Sequence, residues 1–243
     1  MKATSLQRRI AGRVLRTFGY GRSRPEYPKK SYSQSGEDLI IDYLWRELHQ
    51  TDAVPRYLDI GAHDATYANN TYLFYQRGAS GVCVEPDVRF VETIKRVRPR
   101  DVCLPVGIGP EAGPDATFYL MSQRALSTFS RSEAEALVGA GVPIERTIQI
   151  PMVSINQVLR DHVSSPPDFV SLDTEGLDLP ILQAFDFSIC RPAVFCVETV
   201  DFVSKQRVPT ISAFMEGCGY FPYADTYINT IFVDRDRWDA PVV

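Results

Sequence analysis

Between residues 57 and 234 the chain alternates short apolar runs with amphipathic stretches. Tyr57-Leu58-Asp59-Ile60 is one such run, stopped by Gly61, and Gly81-Val82-Cys83-Val84-Glu85 is the next. Runs of this length, rich in β-branched and aromatic residues and bounded by glycine or proline, predict buried strands. Val102–Val106, Phe169–Asp173 and Ala193–Glu198 repeat the pattern. The segments between them predict helices. Asn69–Gln76 is the first. Asp87 is placed to cap a second, in which Val88, Val91, Ile94 and Val97 recur at three-residue steps. Leu177–Ala184 is a third, with Pro180 in its first turn, where a missing N–H is tolerated. Pro209–Cys218 is a fourth, with Gly219 as its stop.

The middle of the chain is less regular. Ala116–Met121 and Thr147–Val153 read as strands, and Ser154 as the cap of a short helix over Ile155–Leu159. Ser122–Val142, rich in polar and small residues, reads as an irregular loop, and loops of this kind commonly carry specificity. Tyr220–Tyr223 and Tyr227–Asp234 close the sheet as antiparallel partners. Buried strands alternating with helices predict an α/β, Rossmann-like three-layer sandwich with a mostly parallel sheet covered on both faces.

In such sheets ligands bind beyond the carboxyl ends of the strands. Four strand ends here carry acids: Asp59, Glu85, Asp173 and Glu198. Asp59 leads into Gly61-Ala62-His63-Asp64, a turn in which Gly61 lets a ligand approach the backbone. Glu85 ends the following strand, where an acid holds ribose hydroxyls in nucleotide-binding sheets. A dinucleotide would need G-x-G-x-x-G to cradle its pyrophosphate, and this chain offers Gly61 alone among crowding acids. S-adenosylmethionine suits the site better, because it has ribose and adenine, no phosphate, and cationic sulfonium and ammonium groups that an acidic rim attracts.

Composition alters this picture at one end. Hydrophobic residues make up 44% and charged residues 23%, ordinary for a globular domain. The net charge is −4, yet the first thirty residues hold nine Lys or Arg and a single acid, Glu26, so the body is strongly acidic. An acidic body repels phosphates and argues against a nucleic-acid partner. The basic leader, residues 1–30, carries Ile10, Val14, Leu15 and Phe18 at roughly helical spacing. It reads either as a solvated tail or as a helix making peripheral contact with an anionic membrane surface. No apolar run is long enough to span a bilayer, and the five cysteines lack metal or redox spacing. Free, buried thiols and a cytoplasmic location are therefore expected.

Three blocks of residues resemble the FkbM family of S-adenosylmethionine-dependent methyltransferases across nearly all of residues 32–233. They are Tyr32-Ser33-Gln34-Ser35-Gly36-Glu37-Asp38-Leu39, then Tyr57–Thr71 with Val82-Cys83-Val84-Glu85-Pro86, and then Asp168–Leu182 with Val197-Glu198. The resemblance implies a class I methyltransferase domain over residues 31–243, with a seven-stranded sheet ending in an antiparallel element. It implies methylation of a hydroxyl on a sugar, glycan, glycolipid or polyketide-type acceptor. By position it implies that Asp59, Gly61 and Ala62 line the methionine end of the cofactor. Glu85, followed by Pro86, would hold its ribose, and Gly107 and Ile108 would lie near adenine. Ala65 stands where the family often has glycine, which would strain the turn if that position needed positive φ.

Methyl transfer to a hydroxyl asks the protein for alignment and a base. Asp173 is the first candidate for base or acceptor-orienting group, and Glu198 the second. His63, in the cofactor turn, is a third group able to titrate near neutrality. The bland alternatives are a helix cap for Asp173 and a packed turn residue for His63. Asp173, Glu175 and Glu198 could instead hold a divalent metal such as Mg²⁺. Gln34, Glu37 and Asp38 read equally as a helix start and as a lid over the site. Asn69, Asn70 and Thr71 read as helix caps or as contacts to the cofactor carboxylate. Two rival functions stay open at this point, a non-catalytic cofactor-binding relative and a nucleotide-dependent oxidoreductase.

Overall fold

The computed structural model describes residues 29–49, 53–163, 165–174, 176–201 and 204–240. The leader expected over residues 1–30 lies outside them apart from Lys29 and Lys30. In chain order the elements are α1 (Glu37–His49), β1 (Tyr57–Ile60), α2 (Tyr72–Gln76), β2 (Gly81–Val84), α3 (Val88–Val97) and β3 (Val102–Leu104). There follow β4 (Gly107–Gly109), β5 (Gly113–Met121), a 3-10 turn (Arg124–Leu126), α4 (Arg131–Gly139), β6 (Ile144–Ser154) and α5 (Ile155–Asp161). The chain continues through β7 (Phe169–Leu172), α6 (Asp178–Ala184), β8 (Val194–Glu198), α7 (Pro209–Gly217), β9 (Tyr220–Asp225), β10 (Asn229–Asp234) and α8 (Arg235–Asp239).

The main sheet has seven strands in the order β3-β2-β1-β7-β8-β10-β9. β3, β2, β1, β7 and β8 run parallel, while β10 pairs antiparallel with both β8 and β9. This is the class I methyltransferase arrangement, with the order reversing between β1 and β7. Residues alternate between the two faces, as a strand's period of two requires. Leu58, Ile60, Val82, Val84, Val170 and Leu172 enter one core with residues of α5, α6 and α7. Tyr57, Cys83 and Phe169 enter the other, with residues of α1, α2 and α3. Both faces are therefore dry, which explains why the strands read as unbroken apolar runs.

The irregular middle becomes a second, three-stranded sheet in the order β4-β6-β5, with β4 parallel and β5 antiparallel to β6. The expectation of a plain loop over Ser122–Val142 is corrected in part. Ser130 caps α4 by accepting the Glu133 N–H at 3.3 Å, and Ala134 and Leu137 face a small core with Met121, Leu126 and Val142. Short apolar side chains gave that helix a weak periodic signal. The Ser130-Arg131-Ser132-Glu133 pattern was the readable sign of its start.

The cysteines are all free, four of them buried and Cys218 half-buried. Among the described residues no helix is long and apolar enough to cross a membrane.

Candidate active site

Beyond the carboxyl ends of β1, β2, β7 and β8 lies a cleft of about 1120 Å³, walled by the second sheet on one side and by residues 30–34 on another. Small-molecule sites usually occupy about 300–1,000 Å³, so the cleft has room for a cofactor and part of an acceptor. Of the residues singled out in the sequence, Gly61, His63, Glu85, Pro86, Gly107, Ile108, Asp173 and Glu198 all line it. Asp59, Ala62 and Asn70 do not.

The cofactor turn is built from close backbone contacts. Gly61 and Ala62 both donate their N–H to the Val84 carbonyl, at 3.0 and 3.1 Å. Gly61 has φ +76, and a Cβ there would meet the Asp173 carbonyl oxygen at 1.8 Å, so no other residue fits. His63 follows at φ +47 and donates its N–H to Glu85 Oε2 at 2.8 Å. Histidine is among the residue types that tolerate this left-handed conformation. Ala65 is not among the positive-φ residues. It is buried in the core beside α2, so the strain expected of it falls on His63 and Ala68 instead.

Glu85 is nearly enclosed. Its other oxygen accepts the Asp87 N–H at 2.8 Å. Burial nevertheless pushes its carboxyl up to about 7, the two N–H donors pulling the other way and the Asp87 and Asp59 charges adding to the rise. Ile60, Val84, Phe90 and Ile108 supply apolar walls around it. A carboxylate between apolar surfaces fits a ribose diol with a flanking heterocycle. The donor set of the cleft therefore suits S-adenosylmethionine.

Asp59 sits at the expected strand end, but its side chain turns away from the cleft. Its Oδ2 accepts the Thr71 hydroxyl at 2.5 Å and lies 4.0 Å from the Arg98 guanidinium. Arg98 is fully buried and also bonds Asp101 at 2.7 Å, Asn69 Oδ1 at 3.1 Å and Thr71 Oγ1 at 2.9 Å. Asn69 connects this network to the turn, donating to the Ala62 and Asp64 carbonyls at 3.0 and 3.1 Å and accepting the Thr71 and Tyr72 N–H groups. Asn69 thus holds the turn that leads into α2, whose N-cap position is Thr71. Asn70 donates to Ser171 Oγ at 3.1 Å and to Cys196 Sγ at 3.7 Å, beneath β7 and β8.

At the floor, Asp173 is half-buried and its carboxyl is hydrogen-bonded to Glu198, also half-buried. A hydrogen bond between two carboxyl groups requires a proton between them. Burial, followed by the Asp178 charge, holds the Asp173 carboxyl well above the usual range. The helix-cap reading of Asp173 is corrected: Leu177 stands at the start of α6 with no side-chain cap, and Asp178, the first helical residue, reaches back to take the Thr174 N–H at 3.0 Å and hydroxyl at 3.1 Å. Glu133, from α4, lies over Gly176 and is pushed up to about 7 by burial. Glu175 lies outside the described residues. Among those described, no group of three or more His, Cys, Asp or Glu side chains is arranged to hold a metal ion.

The segment before β1 is both helix start and cover. Asp38 accepts the Tyr32 N–H at 2.7 Å and the Ser31 hydroxyl at 2.6 Å, and Glu37 accepts the Thr226 hydroxyl at 2.7 Å and Asn229 Nδ2 at 3.1 Å. These bonds strap Ser31–Gln34 along the cleft. Sequence reading missed Arg98, which nothing sets apart from Lys95, Arg96 and Arg100 around it at the end of an amphipathic helix. It also missed Phe118 of the covering sheet and Arg124 and Phe129 of the segment that follows β5, for which no motif existed.

A sequence model of the FkbM methyltransferase domain matches residues 59–222. The chain belongs to that family and is an S-adenosylmethionine-dependent methyltransferase. No curated protein matches it significantly. Solved structures that align with it include an O-methyltransferase from Bacillus cereus in complex with S-adenosylhomocysteine, at 12% identity and TM-score 0.43, covering 96% of this chain and 90% of that one. Another is a TehB-like S-adenosylmethionine-dependent methyltransferase from Corynebacterium glutamicum, at 11% identity and TM-score 0.42, covering 95% and 97%. A third is magnesium protoporphyrin IX methyltransferase from Synechocystis with bound S-adenosylmethionine, at 11% identity and TM-score 0.38, covering 92% and 93%. These likenesses are too distant to bear on the site.

Proposed function

We propose that the protein methylates a hydroxyl oxygen on a sugar, glycan, glycolipid or polyketide-type acceptor, with Asp173 taking the hydroxyl proton. The observation that carries this reading is the half-buried Asp173–Glu198 carboxyl pair at the cleft floor beside the turn after β1. S-adenosylmethionine, when bound, supplies a methyl carbon activated by its sulfonium. What remains for the protein is to hold the acceptor in line and remove a proton.

Glu85 would accept hydrogen bonds from the ribose hydroxyls. Gly107 and Ile108 would face the adenine, and Gly61 with His63 the methionine end. The acidic floor favours a cation near Asp173. As the acceptor oxygen bonds to the methyl carbon and the carbon–sulfur bond breaks, the hydroxyl proton passes to Asp173. Glu198 positions that carboxylate and shares its proton. A carboxyl raised toward neutrality is a better base than an ordinary one and is still ionised in part at working pH. His63 is a weaker candidate, because burial lowers its basicity and Phe90 packs on its ring at 4.2 Å.

The test is transfer of isotope-labelled methyl groups from S-adenosylmethionine to hydroxyl-bearing acceptors by the wild type and by Asp173→Asn. Transfer that the substitution leaves at full rate would remove Asp173 from this role. Transfer to nitrogen or carbon acceptors alone would remove the hydroxyl assignment.

A further inference from the structure

Two tyrosines stand at the mouth of the cleft with their rings in solvent. Tyr67 is 77% exposed and Tyr227 60% exposed, and both line the cavity. The other described tyrosines of the cleft wall are packed, Tyr32 edge-on against Tyr72 at 4.9 Å. An isolated exposed tyrosine needs no explanation. These two share a construction that does.

Each sits on a turn fixed by an aspartate placed just before it. Asp64 Oδ1 accepts the N–H groups of Thr66 and Tyr67, both at 2.8 Å. Asp225 Oδ1 accepts the Tyr227 N–H at 2.7 Å. Each turn also contains a left-handed non-glycine residue, Ala68 at φ +48 beside Tyr67, and Tyr227 itself at φ +79. Among the described residues such positions number four, and three of them, His63 being the third, belong to these two turns and the cofactor turn. Non-glycine residues held at positive φ mark places where the fold fixes a shape for use. On the Tyr227 side, Arg207 bridges to Asp225 at 2.5 Å and lies 5.7 Å from the Tyr227 ring centre. That bridge joins the loop after β8 to the β9–β10 turn, a few residues from Glu198.

A rigid aromatic face at a polar cleft mouth offers contact area at small entropic cost. Its natural complement is a ring with an apolar C–H face and hydroxyls at its edge. We infer that Tyr67 and Tyr227 are acceptor-recognition residues that stack on pyranose rings of a carbohydrate acceptor, delivering one of its hydroxyls to Asp173. This inference rests on the hydroxyl-methylating reading above and narrows its acceptor to carbohydrate. The aromatic faces recognise the sugar and the acids below read the hydroxyl.

The experiment measures labelled methyl transfer to a panel of neutral and uronic-acid oligosaccharides of two to four residues. Wild type is compared with Tyr67→Ala, Tyr227→Ala and the corresponding Trp variants, and S-adenosylhomocysteine affinity is titrated in each. The expected result is transfer to at least one carbohydrate, with KM raised about tenfold by each alanine, kcat changed less, and Trp restoring KM. S-adenosylhomocysteine affinity stays within twofold throughout. Carbohydrate transfer whose KM ignores both alanine variants overturns the tyrosine assignment and leaves the hydroxyl reading standing. Transfer confined to non-carbohydrate hydroxyls overturns this inference and keeps Asp173 as base, whereas absence of hydroxyl transfer overturns both. Anionic vesicles that retain the wild type and lose the alanine variants, with carbohydrate transfer unchanged, would reassign the rim to a lipid surface.

Discussion

Gly61 lies so close to Asp173 that a single methyl group between them would fall 1.8 Å from the Asp173 carbonyl oxygen. The Asp173 N–H is in turn bound to the Ile60 carbonyl at 3.1 Å. The turn assigned to the cofactor and the strand end assigned to the base are therefore one rigid unit. Gly61→Ala would have to part β1 from β7 and adopt positive φ as well. It is expected to give protein that fails to bind S-adenosylhomocysteine in a calorimetric titration, or that does not fold. Normal affinity in a folded Gly61→Ala variant would show that the two turns are not locked together.

Asp173→Asn keeps the shape of the floor and removes the proton acceptor. Turnover is expected to fall about 10²–10⁴-fold. S-adenosylhomocysteine affinity should stay within about threefold. Glu198→Gln retains a hydrogen-bonding partner, and so should cost less in kcat while shifting the pH at which activity rises. Steady-state kinetics across pH 5–9 separate the two roles. Equal losses with unshifted pH profiles would contradict the division between base and positioning residue.

Burial of Glu85 and Glu133, each pushed up to about 7, and of Asp173, makes their neutral forms favoured in the fold. The folded protein then binds more protons than the unfolded chain between the ordinary carboxylate range and about pH 7. The stability these groups contribute is complete below that range and is lost as pH rises through about 7. His63 and His49, both lowered by burial, act oppositely below their ordinary value, so the fall is clearest from pH 6.5 to 8. The melting temperature without ligand should drop over that interval while S-adenosylhomocysteine affinity rises, as Glu85 ionises. A melting temperature that climbs from pH 6.5 to 8 would refute the burial argument.

Arg98 is fully buried among Asp59, Asp101, Asn69 and Thr71. Arg98→Met would leave the carboxylates without a partner, costing about 3–5 kcal/mol. Lysine, with one compact charge, cannot reach three partners in a planar fork and should rescue little. Thermal unfolding of both variants checks this. A loss below about 1 kcal/mol would mean that the network is dispensable.

Activity is expected to survive exhaustive chelation, since Asp173 and Glu198 here exchange a proton rather than share a cation. A chelator that abolishes transfer, with Mg²⁺ restoring it, would favour the metal reading.

The strands were legible because both sheet faces are covered, leaving unbroken runs such as Phe169–Leu172 that stop at a turn. The strand-end rule then found Glu85, Asp173 and Glu198. It found the Asp59 backbone too, but a strand position does not say which way a side chain turns. Asp59 turns toward Arg98, which only the packing of the segment after α3 against the sheet brings near. The helix at Arg131–Gly139 was obscured because its apolar face is narrow and one side is wet, whereas Ala116–Met121 and Thr147–Val153 were legible as strands but not as members of a sheet of their own. Tyr67 and Tyr227 gave no signal at all, since an exposed aromatic in a loop has no period to reveal it.

The most direct measurement is a calorimetric titration of S-adenosylhomocysteine into the wild type and Glu85→Gln at pH 8, with NADH as comparison ligand. The account predicts one site in the wild type, at least tenfold weaker binding in Glu85→Gln, and no heat from NADH. Wild-type binding of NADH but not S-adenosylhomocysteine, or affinity indifferent to Glu85, would contradict it.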